Sequence, residues 1–164
     1  MPRRLLHVDR LIVLVALCSV LAWWAPLRAQ ATTDVAVVVH PDVPVDNLTL
    51  GDLRRLVLGD REFWPGSVRI TLLVRAPVAH ERNVMLMNVC QMTEAQFRQH
   101  WIGKVFRADT AVAPKIVYSA EMAIEAVNRI AGAITLIDAS QVSRNLKVVK
   151  IDGRLPGERG YVLR

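Results

Sequence analysis

The chain has 164 residues, 52% of them hydrophobic, and a formal net charge of +6. Half of that positive excess lies in the first 31 residues, which hold four arginines and one aspartate, so the remainder is only mildly basic. This length suits one globular domain, and the mild charge excludes a nucleic-acid-binding protein while remaining compatible with an anionic ligand or an acidic partner.

The N-terminus has the three parts of an export signal. Arg3, Arg4 and Arg10 form a basic region, residues 11–24 form an apolar core, and residues 29–31 supply a small-x-small cleavage site. The alternative is an uncleaved membrane anchor, but the apolar run is short for a membrane span. We therefore expect residues 1–31 to be a signal peptide and residues 32–164 to form the mature protein, periplasmic or secreted.

The first two elements of the mature chain are a strand and a helix. Residues 34–40 are almost continuously apolar, which is typical of a strand buried on both faces in a parallel sheet. A helix is predicted over residues 50–58, since its apolar residues fall on one face. Thr49 can cap its start with Asp52 three residues on, and Gly59 suits its C-terminal end.

A turn, a strand and a second helix follow. Residues 63–66 predict a rigid aromatic-proline turn in which Trp64 is the more exposed aromatic, at an interface or a pocket rim. Residues 68–74, rich in β-branched side chains, predict the second strand. After a short connection we expect a helix over 79–90. Its inward-facing residues would include Val84 and Met87.

The next helix begins at a predicted capping box. Thr93 and Gln96 have the spacing at which each side chain can bond the other's backbone N–H. Phe97, Trp101 and Val105 then recur at i, i+4 and i+8, which predicts one helical face. Aromatics at this spacing are more often core than a platform for stacking a ligand.

The remaining segments continue the alternation of strands and helices. After a loop over 107–114, a strand is predicted over 115–118 and a helix from the cap Ser119 to about residue 130. Strands over 133–137 and 146–151 follow. The Gly-rich tail, residues 152–164, is expected to be loosely held. This order predicts an α/β fold, a three-layer single lobe with a mainly parallel central sheet flanked by helices.

Several segments resemble the periplasmic phosphate-binding proteins of ABC transporters. The helix that ends at Leu58-Gly59, followed by Trp64 and a strand ending on Arg75, resembles the start of the second lobe in that family. Residues 93–101, TEAQFRQHW, resemble the Ser/Thr-x-x-x-Phe-x-x-x-Trp helix of short single-lobe members. Residues 131–134, AGAI, resemble the family's Pro-Gly-Ala-Ile helix stop. The resemblance covers about residues 35–151 and implies a periplasmic-binding-protein-like lobe.

The resemblance implies a non-enzymatic module that binds phosphate or another small anion, with a membrane permease as partner. In the full-length binders the arginine precedes an Asp and a Ser-Gly-Thr group that hold the phosphate oxygens. Residues 76–82 of this chain, APVAHER, contain no Ser, Thr or Gly. The length also allows only one lobe, whereas the full-length binders close two lobes around the ligand.

Arg75, His80 and Arg82 form the candidate ligand-binding site. They cluster at a predicted strand-to-helix junction, and ligands of open α/β sheets gather at the carboxyl ends of strands. Arginine offers a planar donor fork that matches phosphate or carboxylate geometry. The alternative is that Arg75 and Arg82 are solvated or pair with acids such as Glu81.

No catalytic, cofactor or metal site is predicted. His40, His80 and His100 lack the short spacing of a zinc motif, and Ser119 and Ser140 lack a nucleophile elbow. Cys90, the single cysteine after processing, is expected to be a buried, inert thiol, with intermolecular pairing as the alternative.

Two functions of different classes follow from these observations. The first is an exported module that binds a small, phosphate-like anion near Arg75 and Arg82. The second is a periplasmic protein-interaction or sensor-accessory domain without a small-molecule ligand. The second class predicts a contiguous apolar surface and a defined protein partner, which could be a permease or a membrane sensor.

Overall fold

The computed structural model describes residues 33–110 and 112–164, so the predicted signal peptide lies outside the described residues. Within these ranges, no helix has both the length and the apolar character needed to cross a bilayer. The elements in chain order are β1 (Val35–Val39), β2 (Asn47–Leu48), α1 (Leu50–Val57), β3 (Thr71–Arg75), α2 (His80–Val84) with its π-helical continuation (Met85–Cys90), α3 (Glu94–Phe106), β4 (Lys115–Val117), α4 (Ala120–Arg129), β5 (Ala133–Asp138) and β6 (Lys147–Ile151).

Six strands form one sheet in the order β2-β6-β1-β5-β3-β4. Neighbours β2 and β6, β3 and β5, and β3 and β4 are parallel, whereas β1 is antiparallel to both β5 and β6. The sheet is therefore mixed, with one strand reversed, and the three-layer α/β fold is confirmed. The apolar run of β1 is typical of a parallel strand, but β1 runs antiparallel to both neighbours, because such a run indicates burial on both faces and not strand direction.

The two faces of the sheet are covered by different helices. Helices α1, α2 with its π-helical continuation, and α3 pack on the face that presents Val37, Val74 and Ile134. Helix α4 packs on the opposite face, where Ala123 and Val127 meet Val38, Leu73 and Ile137. Successive residues along a strand thus belong to different apolar cores, one on each face of the sheet, because side chains alternate between the two faces.

Local capping chemistry sets the helix starts. Both capping boxes form: Thr49 accepts from the Asp52 N–H at 3.0 Å, and Thr93 accepts from the Gln96 N–H at 3.2 Å. The Thr49 hydroxyl and the Arg55 guanidinium donate to the Asp52 carboxylate and hold its pKa at about 2. The two capping pairs, Thr49 with Asp52 and Thr93 with Gln96, are as the sequence predicted.

Trp64 is not exposed, contrary to expectation. Its side chain is 2% exposed, and its indole Nε1 donates to the Gly132 carbonyl at 2.9 Å. Gly132 has a φ of +74°, and a Cβ there would lie 2.2 Å from the Arg69 carbonyl oxygen. The aromatic turn therefore packs against the glycine that ends α4, a contact between segments 68 residues apart.

Two helix-face predictions are wrong. Met87 is 68% exposed, because residues 85–90 form a π-helix whose wider turn shifts which side chains face the core. Val84 is buried as predicted. On α3, Phe97 and Trp101 are buried but Val105 is 48% exposed, because it lines an open groove and is not covered by another element of the described chain.

The tail is packed and not loose. Leu163 is fully buried, and its carbonyl accepts from the Val35 N–H at 2.9 Å. The Tyr161 hydroxyl donates to the Val35 carbonyl at 2.7 Å, and Asn88 donates to the Val162 carbonyl at 2.9 Å. Residues after β6 thus return to the start of β1 and close one end of the core.

Candidate functional site

Arg75 is the last residue of β3, at the carboxyl end of that strand, as predicted. Its guanidinium Nε lies 3.4 Å from the Glu81 carboxylate, and its Nη1 lies 3.5 Å from the Val117 carbonyl oxygen. Both Arg75 and Glu81 are largely buried. The charge of Arg75 is therefore shared with an acid of the adjoining helix.

Arg82 is more fully occupied than Arg75. It is 6% exposed, and its Nε and Nη2 each donate to one oxygen of Glu94 at 2.7 Å. Its Nη1 donates to the Arg75 carbonyl at 2.8 Å, and the guanidinium lies 5.6 Å from the centre of the Phe97 ring. The Arg82 hydrogen bonds and charge lower the pKa of Glu94, so the pair is ionised at neutral pH.

His80 lies at the start of α2 with an exposed side chain. Its Nε2 lies 3.0 Å from the Thr33 carbonyl oxygen. The structure thus places Arg75, His80 and Arg82 at one strand-to-helix junction, which we call the β3-end site. Each of the three side chains already has a partner within the protein.

The turn that connects β3 to α2 is unusual for an anion site. Residues 76–79 form a turn with Pro77 in second place and Val78 in third, closed by a 3.3 Å bond from the Ala79 N–H to the Ala76 carbonyl. Val78 has a φ of +67°, a conformation that a β-branched residue adopts at a cost of about 1–2 kcal/mol. The turn therefore presents an exposed isopropyl group and, over residues 76–79, no side-chain hydroxyl that could donate to an anion.

An open apolar groove lies beside the β3-end site, between α3 and β4. Its volume is about 330 Å³, which is within the usual range for ligand and peptide-anchor pockets. We call it the α3 groove. Its lining residues are Val74, Arg82, Phe97, Arg98, Trp101, Ile102, Val105, Phe106, Ala113, Pro114 and Ile116.

The α3 groove is lined by side chains of α3 on one side and by side chains of strands β3 and β4 on the other. Val74 and Ile116 are register partners on β3 and β4 and form its floor on the sheet side. Phe106 is 88% exposed at the end of α3, and Ile102 and Ile116 are each about half exposed. An exposed, continuous apolar surface of this kind is typical of a site that binds another molecule.

The charges around the α3 groove are unbalanced. Both acids of α3 and the following loop are paired, Glu94 with Arg82 and Asp109 with Arg107. Arg98 lines the groove and makes no ion pair with any residue that the structure describes. Arg98 is therefore the one lining cation without an ion pair among the described residues, and its charge helps to lower the pKa of Glu94.

Sequence reasoning missed the α3 groove. Ile102 and Phe106 lie on α3 outside the Phe97–Trp101–Val105 stripe, so the apolar surface of the helix is wider than one stripe. That excess over a single stripe is the signal that could have predicted a second contact face.

The other candidate groups have structural roles. Cys90 is a buried free thiol whose pKa is raised to about 12 by loss of solvent, as expected for an inert cysteine. His100 Nε2 lies 2.9 Å from the Leu58 carbonyl oxygen. Across residues 33–110 and 112–164, no three His, Cys, Asp or Glu side chains converge as a metal site would require.

The fold is similar to that of solved substrate-binding proteins. A putative phosphate ABC transporter substrate-binding protein with bound phosphate from Clostridium perfringens matches with a TM-score of 0.60 and 20% identity, over 74% of this chain and 46% of its own. An ABC-type phosphate transport receptor from Vibrio cholerae gives 0.61 and 20%, over 76% and 48%. PstS from Borrelia burgdorferi gives 0.63 and 15%, over 80% and 54%.

This likeness is one of fold. The chain spans about half the length of the solved structures that it matches. No protein-family model matches the sequence, and no curated protein matches it either. The predicted resemblance to phosphate-binding proteins is thus confirmed at the level of the fold.

Proposed function

We propose that this chain is an exported, non-enzymatic protein-interaction module built on a substrate-binding-protein fold, and that the α3 groove is its docking surface. The observation that supports this most directly is the contrast between two neighbouring surfaces. The cations of the β3-end site are paired with carboxylates, whereas the apolar side chains of the α3 groove have no covering element in the described part of the chain.

The pairing of the cations weakens the case for an anion receptor. A phosphate at Arg82 would have to replace two short bonds to Glu94, and at Arg75 it would meet the Glu81 carboxylate. Displacing the buried Glu81 carboxylate would leave it without compensation, and displacing Glu94 would break two charge-assisted bonds to Arg82. An incoming anion must exceed both costs. The turn at Pro77 and Val78 adds no hydroxyl donor to offset that cost.

Anion binding at Arg75, His80 and Arg82 is the second candidate. It is supported by the position of Arg75 at the carboxyl end of β3 and by the likeness to a substrate-binding protein solved with phosphate. In that case the partner would be a transporter permease. Occupancy would require Glu81 to move away from Arg75, and anion binding at this site would be lost in Arg75→Ala.

Site-specific photo-cross-linking in cells tests the docking proposal. Benzoylphenylalanine replaces Phe106 in the α3 groove or, as a control, Lys150 on β6. Lys150 is exposed and lies near the opposite edge of the sheet, so it reports random collision. We expect one discrete adduct from position 106, identified by mass spectrometry, and none from position 150.

The adduct should disappear when Ile102→Asp is added, because a charge on the groove wall removes apolar contact. Equal labelling from both positions, or none from position 106, would contradict the proposal.

A further inference from the structure

The segment after the last strand fills a place beside the first strand of the sheet. β6 pairs with β1 at Val37, Val38 and Val39, and the chain then returns to bond β1 again at Val35. We propose that residues 155–164 form a strap that two copies of this chain can exchange, so that the strap of each copy closes the core of the other. This inference does not depend on the α3 groove or on the function proposed for it.

The strap completes the backbone hydrogen bonding of Val35. The Val35 N–H donates to the Leu163 carbonyl at 2.9 Å, and the Val35 carbonyl accepts from the Tyr161 hydroxyl at 2.7 Å. Val35 lies two positions before Val37, the last β1 residue that pairs with β6. An open strand edge offers its N–H and C=O groups to an extended segment. The strap therefore takes the place of a neighbouring strand at this end of β1.

Polar side chains around β1 fit this particular segment. The Asp34 side chain is 12% exposed, and its carboxylate accepts from the Arg164 Nε at 2.9 Å and from the Gly157 N–H at 2.6 Å. Asn88, on the helix that continues α2, donates to the Val162 carbonyl at 2.9 Å and to the Arg164 carbonyl at 3.2 Å. The site thus recognises both the backbone and the terminal cation of the strap.

Two apolar side chains of the strap belong to the core. Tyr161 is 3% exposed and Leu163 is fully buried, and both pack in the cluster that α1 and α3 cover. Removal of the strap would expose this part of the core to water, so an opened strap site needs an occupant. The occupant that reproduces every contact is the same segment of a second copy.

The connection between β6 and the buried part of the strap consists of two local turns. The Glu158 N–H donates to the Leu155 carbonyl at 3.2 Å, and the Tyr161 N–H donates to the Glu158 carbonyl at 3.1 Å. Gly157 and Gly160, the third residues of these turns, have φ of +87° and +84°. When both turns open, residues 155–160 can extend to about 20 Å. That length lets the strap reach a second copy at the loss of few hydrogen bonds.

Concentration decides between the closed and the exchanged form, because the strap makes the same contacts in both. A short tether gives the strap of the same chain an effective concentration in the millimolar range. We therefore expect monomers when the protein is refolded at about 10 μM, and exchanged dimers when it is refolded at about 1 mM.

Complementary charge reversals in the full chain test the exchange. Asp34→Arg alone and Arg164→Asp alone each place like charges at the strap site of a closed chain. When the two variants are unfolded, mixed and refolded together, exchange puts opposite charges at both sites of a heterodimer. We expect the mixture to give at least about fivefold more heterodimer than either variant gives homodimer, as counted by native mass spectrometry.

Two further variants provide the controls. The double variant Asp34→Arg, Arg164→Asp restores opposite charges within one chain and should refold as a monomer at the same concentration. Phe106→Ser, at an 88% exposed position in the α3 groove, should leave the heterodimer yield unchanged. If a single variant fails to fold alone, recovery of folded protein in the mixture supports exchange in the same way.

Three results would overturn the proposal. The first is a mixture that yields no heterodimer, whether the variants fold alone or not. The second is wild-type protein that remains entirely monomeric after refolding at about 1 mM. The third is a heterodimer that disappears in the Phe106→Ser background, because the copies would then associate through the α3 groove and not by exchange of the strap.

Discussion

At the scale of single residues, the most consequential feature is the partner that each arginine has. Arg82 would serve an anion if it were free, but Glu94 engages two of its nitrogens at 2.7 Å. Glu81 was predictable as a possible partner for these arginines, because it lies between them in the sequence, and Arg75 does pair with it. Glu94 was not predictable as the partner of Arg82. It lies 12 positions away in a different helix, and only the packed fold brings the two side chains together.

The Arg82–Glu94 pair leads to a stability prediction. Glu94→Gln should lower the free energy of unfolding by about 1.5–3 kcal/mol at pH 7, because a buried guanidinium loses its charged acceptor. Chemical denaturation followed by tryptophan fluorescence measures this difference.

The same pair predicts a pH dependence. The pKa of Glu94 is lowered from 4.5 in the folded state, so its contribution is complete above pH 4.5 and is lost as pH falls through the folded value. The difference between wild type and Glu94→Gln should therefore shrink on acidification. Glu125→Gln, in an exposed pair with Arg129, serves as the control and should change stability little at any pH. A difference that persists unchanged in acid would contradict the assigned ion pair.

At the scale of elements, local rules predicted most helices and strands. Thr49, Thr93 and Ser119 each cap the helix that follows them, because capping depends on residues three positions apart. Predictions failed where a distant segment decides the outcome. Trp64 is buried by Gly132, and Met87 is exposed by a π-helix that α-helical periodicity does not anticipate.

The contact between the aromatic turn and the end of α4 leads to a second stability prediction. Gly132→Ala should destabilise by about 2–4 kcal/mol, because the new Cβ meets the Arg69 carbonyl and the residue has positive φ. Gly153→Ala has the same conformational penalty with no atom within 4 Å, so it should cost about 1–2 kcal/mol. Denaturation curves of both variants give the comparison. Equal losses would show that the close approach at Gly132 contributes nothing.

At the scale of the whole molecule, the sequence predicted the layers but not the sheet order. Alternating strands and helices indicated three layers, and the solved structures of substrate-binding proteins share that fold. The reversed direction of β1 was not predictable, since its residues are buried on both faces in either direction. The α3 groove was equally hidden, because β4 joins α3 to form it only when the sheet assembles.

The central claim is that this fold presents an interaction groove while its β3-end cations are engaged internally. Isothermal titration calorimetry of the purified protein with inorganic phosphate at low ionic strength tests it most directly. We predict no saturable heat, and the same result for Arg75→Ala. Saturable one-to-one binding that is lost in Arg75→Ala would contradict the claim and establish the β3-end site as an anion receptor.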